Sequence, residues 1–356
     1  MRIAFVLDHY TPGKGGLERW VADLADHLRA SGHEPHLVSG DRAVSDPRFA
    51  HHPIRSRGLT RAGRDRDFAE RARLFTKAEA FDRVLGFRHL LACDVYVPHG
   101  GSVTEAFAAH REAKGGIALP RGRVRNFLRL ERELLTGPDV PGVQAVSDMV
   151  RGDLLRHYPG LEGRIEVVPN GVDLERFAPG GRDAARDRLG IDGRAALFVA
   201  GNPRLKGWRF AREAFTRLRD DGALPHLLVA GGDPGSLPAG ARYLGRLEDP
   251  AEAIRAADVL LQPTYYDPFP LTTLEALACG TPVATTARNG AVPHLGESGA
   301  VRACAHPSDV AGLARHAADL LAESPRAAAR RAAEDFPLGT CLEQTAARIS
   351  DRPTER

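Results

Sequence analysis

Residues 1–32 read MRIAFVLDHYTPGKGGLERWVADLADHLRASG, and this stretch decides the fold class. Its short apolar run, Ile3–Leu7, is typical of a buried parallel strand. A glycine-rich loop follows, and apolar residues then recur at helical spacing, at Leu17, Trp20, Val21, Leu24 and Leu28. The order of strand, glycine-rich loop and helix predicts the start of a doubly wound α/β domain.

Short apolar runs and helical stretches alternate along the rest of the 356 residues in two successive series. The pattern restarts near Pro169–Asp173, and Pro179–Gly181 is typical of a linker. Residues 42–66 show little periodicity, so we expect a long loop there, with His51 and His52 exposed in it. We therefore expect two Rossmann-like domains and a cleft between them, with residues 1–175 in the first domain, 176–336 in the second, and a last helix at about 337–356 that packs back on the first.

Composition excludes several classes of protein. Hydrophobic residues make up 43% of the chain and charged residues 27%, as in ordinary globular proteins. No apolar run approaches about 18 residues, so we expect no membrane-spanning helix, and the apolar start is too short for a signal peptide. The 4 cysteines and 14 histidines show no metal-binding spacing, which predicts a cytoplasmic protein with reduced thiols and no metal.

Two basic stretches, Arg55–Lys77 and Arg111–Arg132, lie in the N-terminal half of the chain. The first has eight Lys/Arg against three acids, and the second has seven against two. Either they form a solvated surface, or they form a face that binds an anionic membrane. Nucleic acid is not an expected partner, because aromatic residues are only 6% and do not interleave with the basic ones.

Two loops have the composition of anion-binding sites. Gly13–Gly16 precedes the first helix, where glycines and a helix N-terminus favour a phosphate, and a tight strand–helix turn is the alternative. The spacing fits neither the dinucleotide fingerprint nor a Walker A loop. Gly201–Gly207 follows the predicted strand Ala196–Ala200 and contains Arg204 and Lys206, two cations that suit a diphosphate.

Residues 262–283 read QPTYYDPFPLTTLEALACGTPV and contain two acids eight positions apart, Asp267 and Glu275. Two carboxylates that face one site can each accept hydrogen bonds from the neighbouring hydroxyls of a sugar or a ribose. The amide groups over Phe269–Thr272 lie at a helix start and can bind phosphate. The alternative for Asp267 is a helix cap.

Together these segments resemble the retaining GT-B glycosyltransferases of family 4, and most closely the bacterial lipopolysaccharide-core glucosyltransferases. Asp267 and Glu275 match the family's pair of acids, and Lys206-Gly207 matches its phosphate-binding segment. Gly15-Gly16 and Asn170–Asp173 match its glycine loop and its hinge. The resemblance covers nearly the whole chain.

The resemblance implies a role for each matching residue. Glu275 would hold the ribose, Asp267 would contact the donor sugar, and Arg204 and Lys206 would neutralise the diphosphate. His99 falls where some relatives have a histidine that contacts the donor. The predicted catalytic residues are thus Asp267, Lys206, Arg204 and His99, and the predicted substrate-binding residues are Gly15, Gly16, Glu275, Phe269, Pro270, Leu271 and Thr272.

Four positions depart from the family pattern. Asp267 is shorter by one methylene than the usual Glu, and Asn202 replaces a frequent Arg. Gly100 or Gly101 stands where near relatives have an acid, and His294 replaces a common Glu.

The resemblance implies a retaining hexosyltransferase that moves glucose from a UDP-linked donor to a glycan, a lipid-linked or a lipopolysaccharide-type acceptor, without a metal. It would work in the cytoplasm, with the inner face of the cell membrane as an alternative place. Two other hypotheses stay open. One is another GT-B enzyme, such as a sugar-nucleotide epimerase or a phosphorylase. The other is a non-catalytic protein that binds a sugar nucleotide.

Overall fold

A computed structural model describes residues 1–40, 44–116 and 119–351. By their internal contacts the residues form two compact units. Unit 1 comprises Met1–Phe107, Ala118–Pro169 and Cys341–Arg356, and unit 2 comprises Ala108–Ile117 and Asn170–Thr340.

The first part of the chain alternates strands and helices. In order they are β1 (Arg2–Leu7), α1 (Gly16–Ala30), β2 (Glu34–Gly40), β3 (Ala50–Ile54), α2 (Arg61–Ala78), β4 (Arg83–Gly86), β5 (Val95–Tyr96), α3 (Val103–Ala113), α4 (Gly122–Thr136), β6 (Gly142–Ala145), α5 (Asp148–His157) and β7 (Ile165–Val167).

The remainder follows the same pattern. It comprises α6 (Arg182–Arg188), β8 (Ala195–Ala200), α7 (Trp208–Asp220), β9 (His226–Gly231), β10 (Ala241–Tyr243), α8 (Ala251–Ala256), β11 (Val259–Gln262), α9 (Leu271–Ala278), β12 (Val283–Thr286), α10 (Val292–Leu295), β13 (Val301–Cys304), α11 (Val310–Glu323), α12 (Arg326–Glu334) and α13 (Leu338–Ser350).

Each unit is built on one parallel sheet. The strand order is β3-β2-β1-β4-β5-β6-β7 in unit 1 and β10-β9-β8-β11-β12-β13 in unit 2. The central strands are buried on both faces, which explains their continuous apolar runs: every side chain from Ile3 to Leu7 is at most 2% exposed. The prediction of two Rossmann-like α/β domains is confirmed.

Helix α1 shows how the apolar pattern determines packing. Trp20, Val21, Leu24 and Leu28 are all buried, at the spacing of one helical face. The helix ends at Ala30, and Gly32 follows with a φ of 78°, a left-handed conformation that glycine adopts without strain. The next strand, β2, then pairs in parallel with β1.

The expected loop over residues 42–66 is wrong for the part that the structure describes. Residues 50–54 form β3, which pairs in parallel with β2, and α2 starts at Arg61. His52 lies in β3 and stacks on His36, with ring centroids 5.2 Å apart, so it is not an exposed loop residue. The strand is an edge strand with little apolar pattern, and Arg42 lies outside the described residues.

The boundaries between the two units fall at slightly different residues from those expected from the sequence. Asn170 already belongs to unit 2, where its side-chain amide donates a hydrogen bond of 2.9 Å to the carbonyl of Phe269. The last helix has its C-terminal part in unit 1, where the hydroxyl of Thr345 accepts a hydrogen bond from Gln144 at 2.9 Å. The segment Ala108–Ile117 is part of unit 2, in which Glu112 forms an ion pair with Arg288.

Candidate functional site

The order of strands in unit 2 brings two of the predicted loops together. Strands β8 and β11 are parallel neighbours, so the segments that follow them lie at the same edge of the sheet. The first segment is Gly201–Gly207 and the second is Pro263–Pro270. The carboxyl edge of a parallel sheet is where open α/β folds bind ligands.

Gly207 fixes how the first segment meets the second. Its φ is 78°, and a Cβ atom added there would lie 2.0 Å from the carbonyl oxygen of Pro263. No other residue type fits this approach without moving the backbone. The amide of Tyr265 also donates to the carbonyl of Leu205 at 3.0 Å, so the turn before α7 is fastened to the segment after β11.

This turn places Lys206 against Asp267. The lysine ammonium donates to Oδ2 of the aspartate, whose residue is 6% exposed, while the lysine side chain is 22% exposed. Loss of hydration lowers the pKa of Lys206 to about 7. The neighbouring carboxylate favours the charged form, so the pair balances a desolvation cost against an ionic attraction.

The backbone of Asp267 is held on both sides. Its amide donates to the carbonyl of Arg288 at 3.0 Å, and its carbonyl accepts from Gly290 at 2.8 Å. The alternative interpretation of Asp267 as a helix cap is wrong. Helix α9 starts after Pro270, and no side chain in the described ranges caps it.

Glu275 lies on the buried face of α9 and is 4% exposed. The first turn of α9 follows Phe269 and Pro270, and its leading amides have no acceptor within the helix. The carbonyl of Phe269 accepts the hydrogen bond from the side chain of Asn170 described above. The start of α9 and the buried Glu275 thus follow the Lys206–Asp267 pair along the chain.

The remaining predicted residue of unit 2, Arg204, is exposed, and its carbonyl accepts from the amide of Gly207 at 3.1 Å. A second glycine turn supports this loop from β9. Gly231 has a φ of 110°, and a Cβ added there would lie 2.2 Å from the carbonyl oxygen of Ala200. Bulkier residues at this turn would displace the start of the Gly201–Gly207 segment.

The predicted residues of unit 1 also lie at the carboxyl edge of their sheet. Gly15 precedes α1 in an extended conformation, with φ −162°, and no side chain in the described part of the chain caps this helix. An added Cβ at Gly15 would lie 2.9 Å from Oε2 of Glu18. The start of α1, with Gly16, therefore leaves backbone amides available for an anion.

His99 follows β5 and packs against Trp20 of α1, with ring centroids 4.4 Å apart in an edge-to-face arrangement. Burial lowers the pKa of His99 to about 3, so the ring is neutral at physiological pH. Its Nε2 atom is buried, and none of the described residues offers it a hydrogen bond.

Two family models match the chain, one in each half. The model Glycosyltransferase Family 4 matches residues 14–176, and the model Glycosyl transferases group 1 matches residues 193–323. The lipopolysaccharide glucosyltransferase WaaG of Escherichia coli (strain K12) is 27% identical over 347 residues, which cover 91% of each chain. Each half of the chain thus matches a glycosyltransferase model, and the chain resembles WaaG over most of its length. Its resemblance to family 4 and to lipopolysaccharide-core glucosyltransferases is confirmed.

Other similar proteins match different shares of this chain. The D-inositol 3-phosphate glycosyltransferase of Geodermatophilus obscurus is 38% identical over 188 residues, which span 46% of this chain and 42% of that protein. The crystal structure of WaaG, a glycosyltransferase involved in lipopolysaccharide biosynthesis, aligns with a TM-score of 0.85 and 24% identity. It covers 98% of this chain and all of its own, which shows the same fold.

A charged network in unit 1 of this glycosyltransferase was not predicted. Asp8 follows β1 directly and accepts from Nε of Arg88 at 3.2 Å, and Arg123 of α4 pairs with Asp65 at 2.5 Å. The guanidinium of Arg123 also lies 3.9 Å from Asp8. The signal for Asp8 was its position at a strand end, whereas its partners are far apart in the sequence.

Over residues 1–40, 44–116 and 119–351, no group of three or more His, Cys, Asp or Glu side chains is placed to hold a metal ion. Within the same ranges, no helix has both the length and the apolar character required to cross a bilayer.

Proposed function

We propose that this glycosyltransferase is a retaining enzyme that transfers glucose from UDP-glucose to a glycan or a lipopolysaccharide-type acceptor. The observation that carries the proposal is the ion pair of Lys206 with the buried Asp267 at the sheet edge of unit 2, next to the helix that bears Glu275. An ion pair that is largely removed from water seldom adds stability, so we infer that this one serves an anionic ligand.

The donor diphosphate is assigned to the cations and amides of unit 2. Lys206 and Arg204 neutralise its charge, and the amides of Phe269, Leu271 and Thr272 donate to its oxygens. Glu275 accepts hydrogen bonds from the ribose hydroxyls. Asp267 holds the ammonium of Lys206 and contacts the hydroxyls of the glucose.

The reaction breaks the bond between the anomeric carbon and the phosphate oxygen, and it forms a bond from that carbon to the acceptor oxygen. The acceptor attacks from the face that the diphosphate leaves, so the configuration is retained. The departing phosphate oxygen takes the proton of the acceptor hydroxyl. The transition state resembles an oxocarbenium ion, so the enzyme contributes positioning and stabilisation of the leaving charge.

Unit 1 is assigned to the rest of the substrate. The amides at Gly15 and Gly16 are offered to a substrate oxygen, and the neutral ring of His99 hydrogen-bonds a sugar hydroxyl through its buried Nε2. The acceptor class follows the similar Escherichia coli glucosyltransferase, which matches over 91% of both chains.

The cytoplasmic side of an anionic membrane is the proposed place of work. On α4 the exposed residues Arg125 and Arg129 lie one turn apart, Arg121 precedes them, and Leu119 is 72% exposed nearby in sequence. Each such basic residue contributes about 1 kcal/mol at an anionic surface. In vesicle sedimentation we expect binding to phosphatidylglycerol but not to phosphatidylcholine. Equal binding to both, or no loss on changing Arg121, Arg125 and Arg129 to Glu, would reject this surface.

A donor screen tests the proposed activity. UDP-glucose, GDP-glucose, ADP-glucose and UDP-galactose are each incubated with lipopolysaccharide core oligosaccharide or with D-inositol 3-phosphate, and nucleotide release and glycoside configuration are measured. We expect release from UDP-glucose, an α-linked product, and full activity in excess EDTA, since the proposed chemistry uses no metal. Isomerised sugar nucleotide without acceptor would favour an epimerase. UDP binding with no turnover on any acceptor would favour a binding protein.

A further inference from the structure

A buried carboxylate in unit 1 lies outside the predicted site residues. Glu131 of α4 is 3% exposed. Its Oε1 accepts a hydrogen bond of 2.9 Å from the amide of Val103, and its Oε2 accepts one of 3.1 Å from the hydroxyl of Tyr158. Glu131 thus joins the first residue of α3 to the residue that follows α5.

The contact with Val103 fixes one end of the loop 97–102, which contains His99. The amide of Val103 belongs to the first turn of α3 and has no acceptor within that helix. A carboxylate here is also favoured by the helix dipole. The other end of the loop is held by the sheet, because the amide of Val97 donates to the carbonyl of Gly86 at 2.8 Å.

The charged form of Glu131 is costly for the fold. Loss of hydration raises the pKa of Glu131 to about 7, although the hydrogen bonds from Val103 and Tyr158 oppose the shift. A carboxyl whose pKa is raised on folding contributes most stability at low pH and loses that contribution as pH rises through about 7. Folding alone would therefore be served as well or better by a neutral side chain of the same shape.

We propose that Glu131 is a positioning residue for glycosyl transfer, whose carboxylate holds the loop 97–102, and with it His99, in the geometry that the reaction needs. This inference rests on the proposed function. Hydrogen bonds to an ionised acceptor are shorter and stronger than neutral ones, so the charge tightens the loop. A displacement of about 1 Å in a group that orients substrate can cost roughly 10²-fold in rate.

Other charged groups surround this carboxylate, and their effects on activity must be distinguished from its own. From α5, His157 faces Glu131 and also pairs with Glu105 of α3 at 2.8 Å. Arg156 pairs with the same Glu105 at 3.2 Å, and with Asp153 of α5 at 3.1 Å. On α4 itself, Arg132 acts on the neighbouring Tyr158. Because these neighbours carry charges of their own, a pH profile needs a variant that removes only the Glu131 charge.

The variant Glu131→Gln keeps the shape and removes the charge. Its matched control is Glu133→Gln on the same helix, where the glutamate is 38% exposed and pairs with Arg66 at 2.7 Å. At pH 8, with UDP-glucose and lipopolysaccharide core oligosaccharide, we expect kcat of Glu131→Gln to fall about 10-fold, while Tm is unchanged or higher and UDP binds as before. The control should change none of these values.

The pH profile gives a second readout. In the wild type we expect kcat to fall as pH drops through about 7, the pKa of Glu131, and in Glu131→Gln this fall should disappear. Tyr158→Phe removes one hydrogen bond to the carboxylate, so it should move the midpoint of the fall to higher pH, and it tests the inference even where Glu131→Gln does not fold.

Three results would overturn the inference. One is an unchanged kcat in Glu131→Gln, and another is a midpoint that stays in place in both variants, which would show that a different group sets it. The third is a joint loss of Tm and kcat in Glu131→Gln with no midpoint shift in Tyr158→Phe, which would show a purely structural role. In each case a wild-type enzyme that transfers glucose would still support the proposed function. A wild type that transfers to neither acceptor would remove both proposals.

Discussion

The two sheet edges differ in how exposed their basic side chains are and in which neutral groups lie beside them. In unit 2, Asp267 and Glu275 are buried after β11, and Lys206, which pairs with Asp267, keeps only 22% of its side chain exposed. In unit 1, the neutral His99 packs on Trp20, and the charged groups Arg88 and Arg123 keep side chains 38% and 39% exposed.

This difference indicates a division of work. Burying charged groups costs free energy, so a buried cation beside a carboxylate is expected where a charged ligand completes the site. In unit 1, the neutral ring of His99 packed on Trp20 suits the hydroxyl groups of sugars instead. The comparison therefore predicts that changes in unit 2 weaken binding of the nucleotide, whereas changes in unit 1 alter transfer with little effect on it.

The largest expected effect is at Lys206. Lys206→Ala removes the buried cation that neutralises the leaving diphosphate, and we expect kcat/KM to fall about 10³-fold, as for loss of one strong electrostatic group. The measurement is UDP release from UDP-glucose with lipopolysaccharide core oligosaccharide. The exposed Arg209→Ala, in the following helix, serves as the control. Near-normal turnover in Lys206→Ala would break the comparison.

A substitution at Gly207, which follows Lys206 directly, should show the next largest effect. Gly207→Ala places a Cβ 2.0 Å from the carbonyl oxygen of Pro263 at a φ of 78°, so we expect about 3 kcal/mol less stability in urea unfolding. Gly222→Ala is the matched control, since its φ is 73° but no other described atom lies within 4 Å of an added Cβ. We expect about 1 kcal/mol there. Equal losses would show that the close approach is unimportant.

Glu275 tests the ribose contact. Glu275→Gln removes the charge but keeps the shape, and a lost hydrogen bond to a charged group costs about 2 kcal/mol, or roughly 30-fold in affinity. Calorimetry with UDP should show this loss. Titration with inorganic diphosphate, which has no ribose, should be affected far less. A similar loss for both ligands would move Glu275 away from the ribose.

His99 should give the smallest effect on nucleotide binding. His99→Phe keeps an aromatic ring against Trp20 and removes the buried Nε2, so we expect kcat to fall about 10-fold through one lost hydrogen bond. The Kd for UDP should stay unchanged. A large rise in that Kd would contradict the division between the units.

Much of this fold could be predicted from local pattern. The buried strands and α1 follow from apolar runs and helical spacing, and the meeting of Lys206 with Asp267 follows from the rule that parallel strands end at one edge. Strand β3 could not be found this way, because an edge strand with two histidines has little apolar alternation. Its pairing depends on β2, not on its own sequence.

The contacts of Glu131 could not be predicted from the sequence for a similar reason. In the sequence Glu131 stands between basic residues in a stretch that suggests a solvated or membrane-facing surface. Only the contacts with Val103 and Tyr158, 28 and 27 residues away, show that it is buried. Acids of this kind are recognised by their three-dimensional partners, and no local spacing identifies them.

A crystal structure of the full chain with UDP-glucose tests the central claim most directly. We expect the diphosphate to accept a hydrogen bond from Nζ of Lys206 and the carboxylate of Glu275 to accept hydrogen bonds from the ribose hydroxyls. A nucleotide bound elsewhere, or one that touches neither Lys206 nor Glu275, would contradict it.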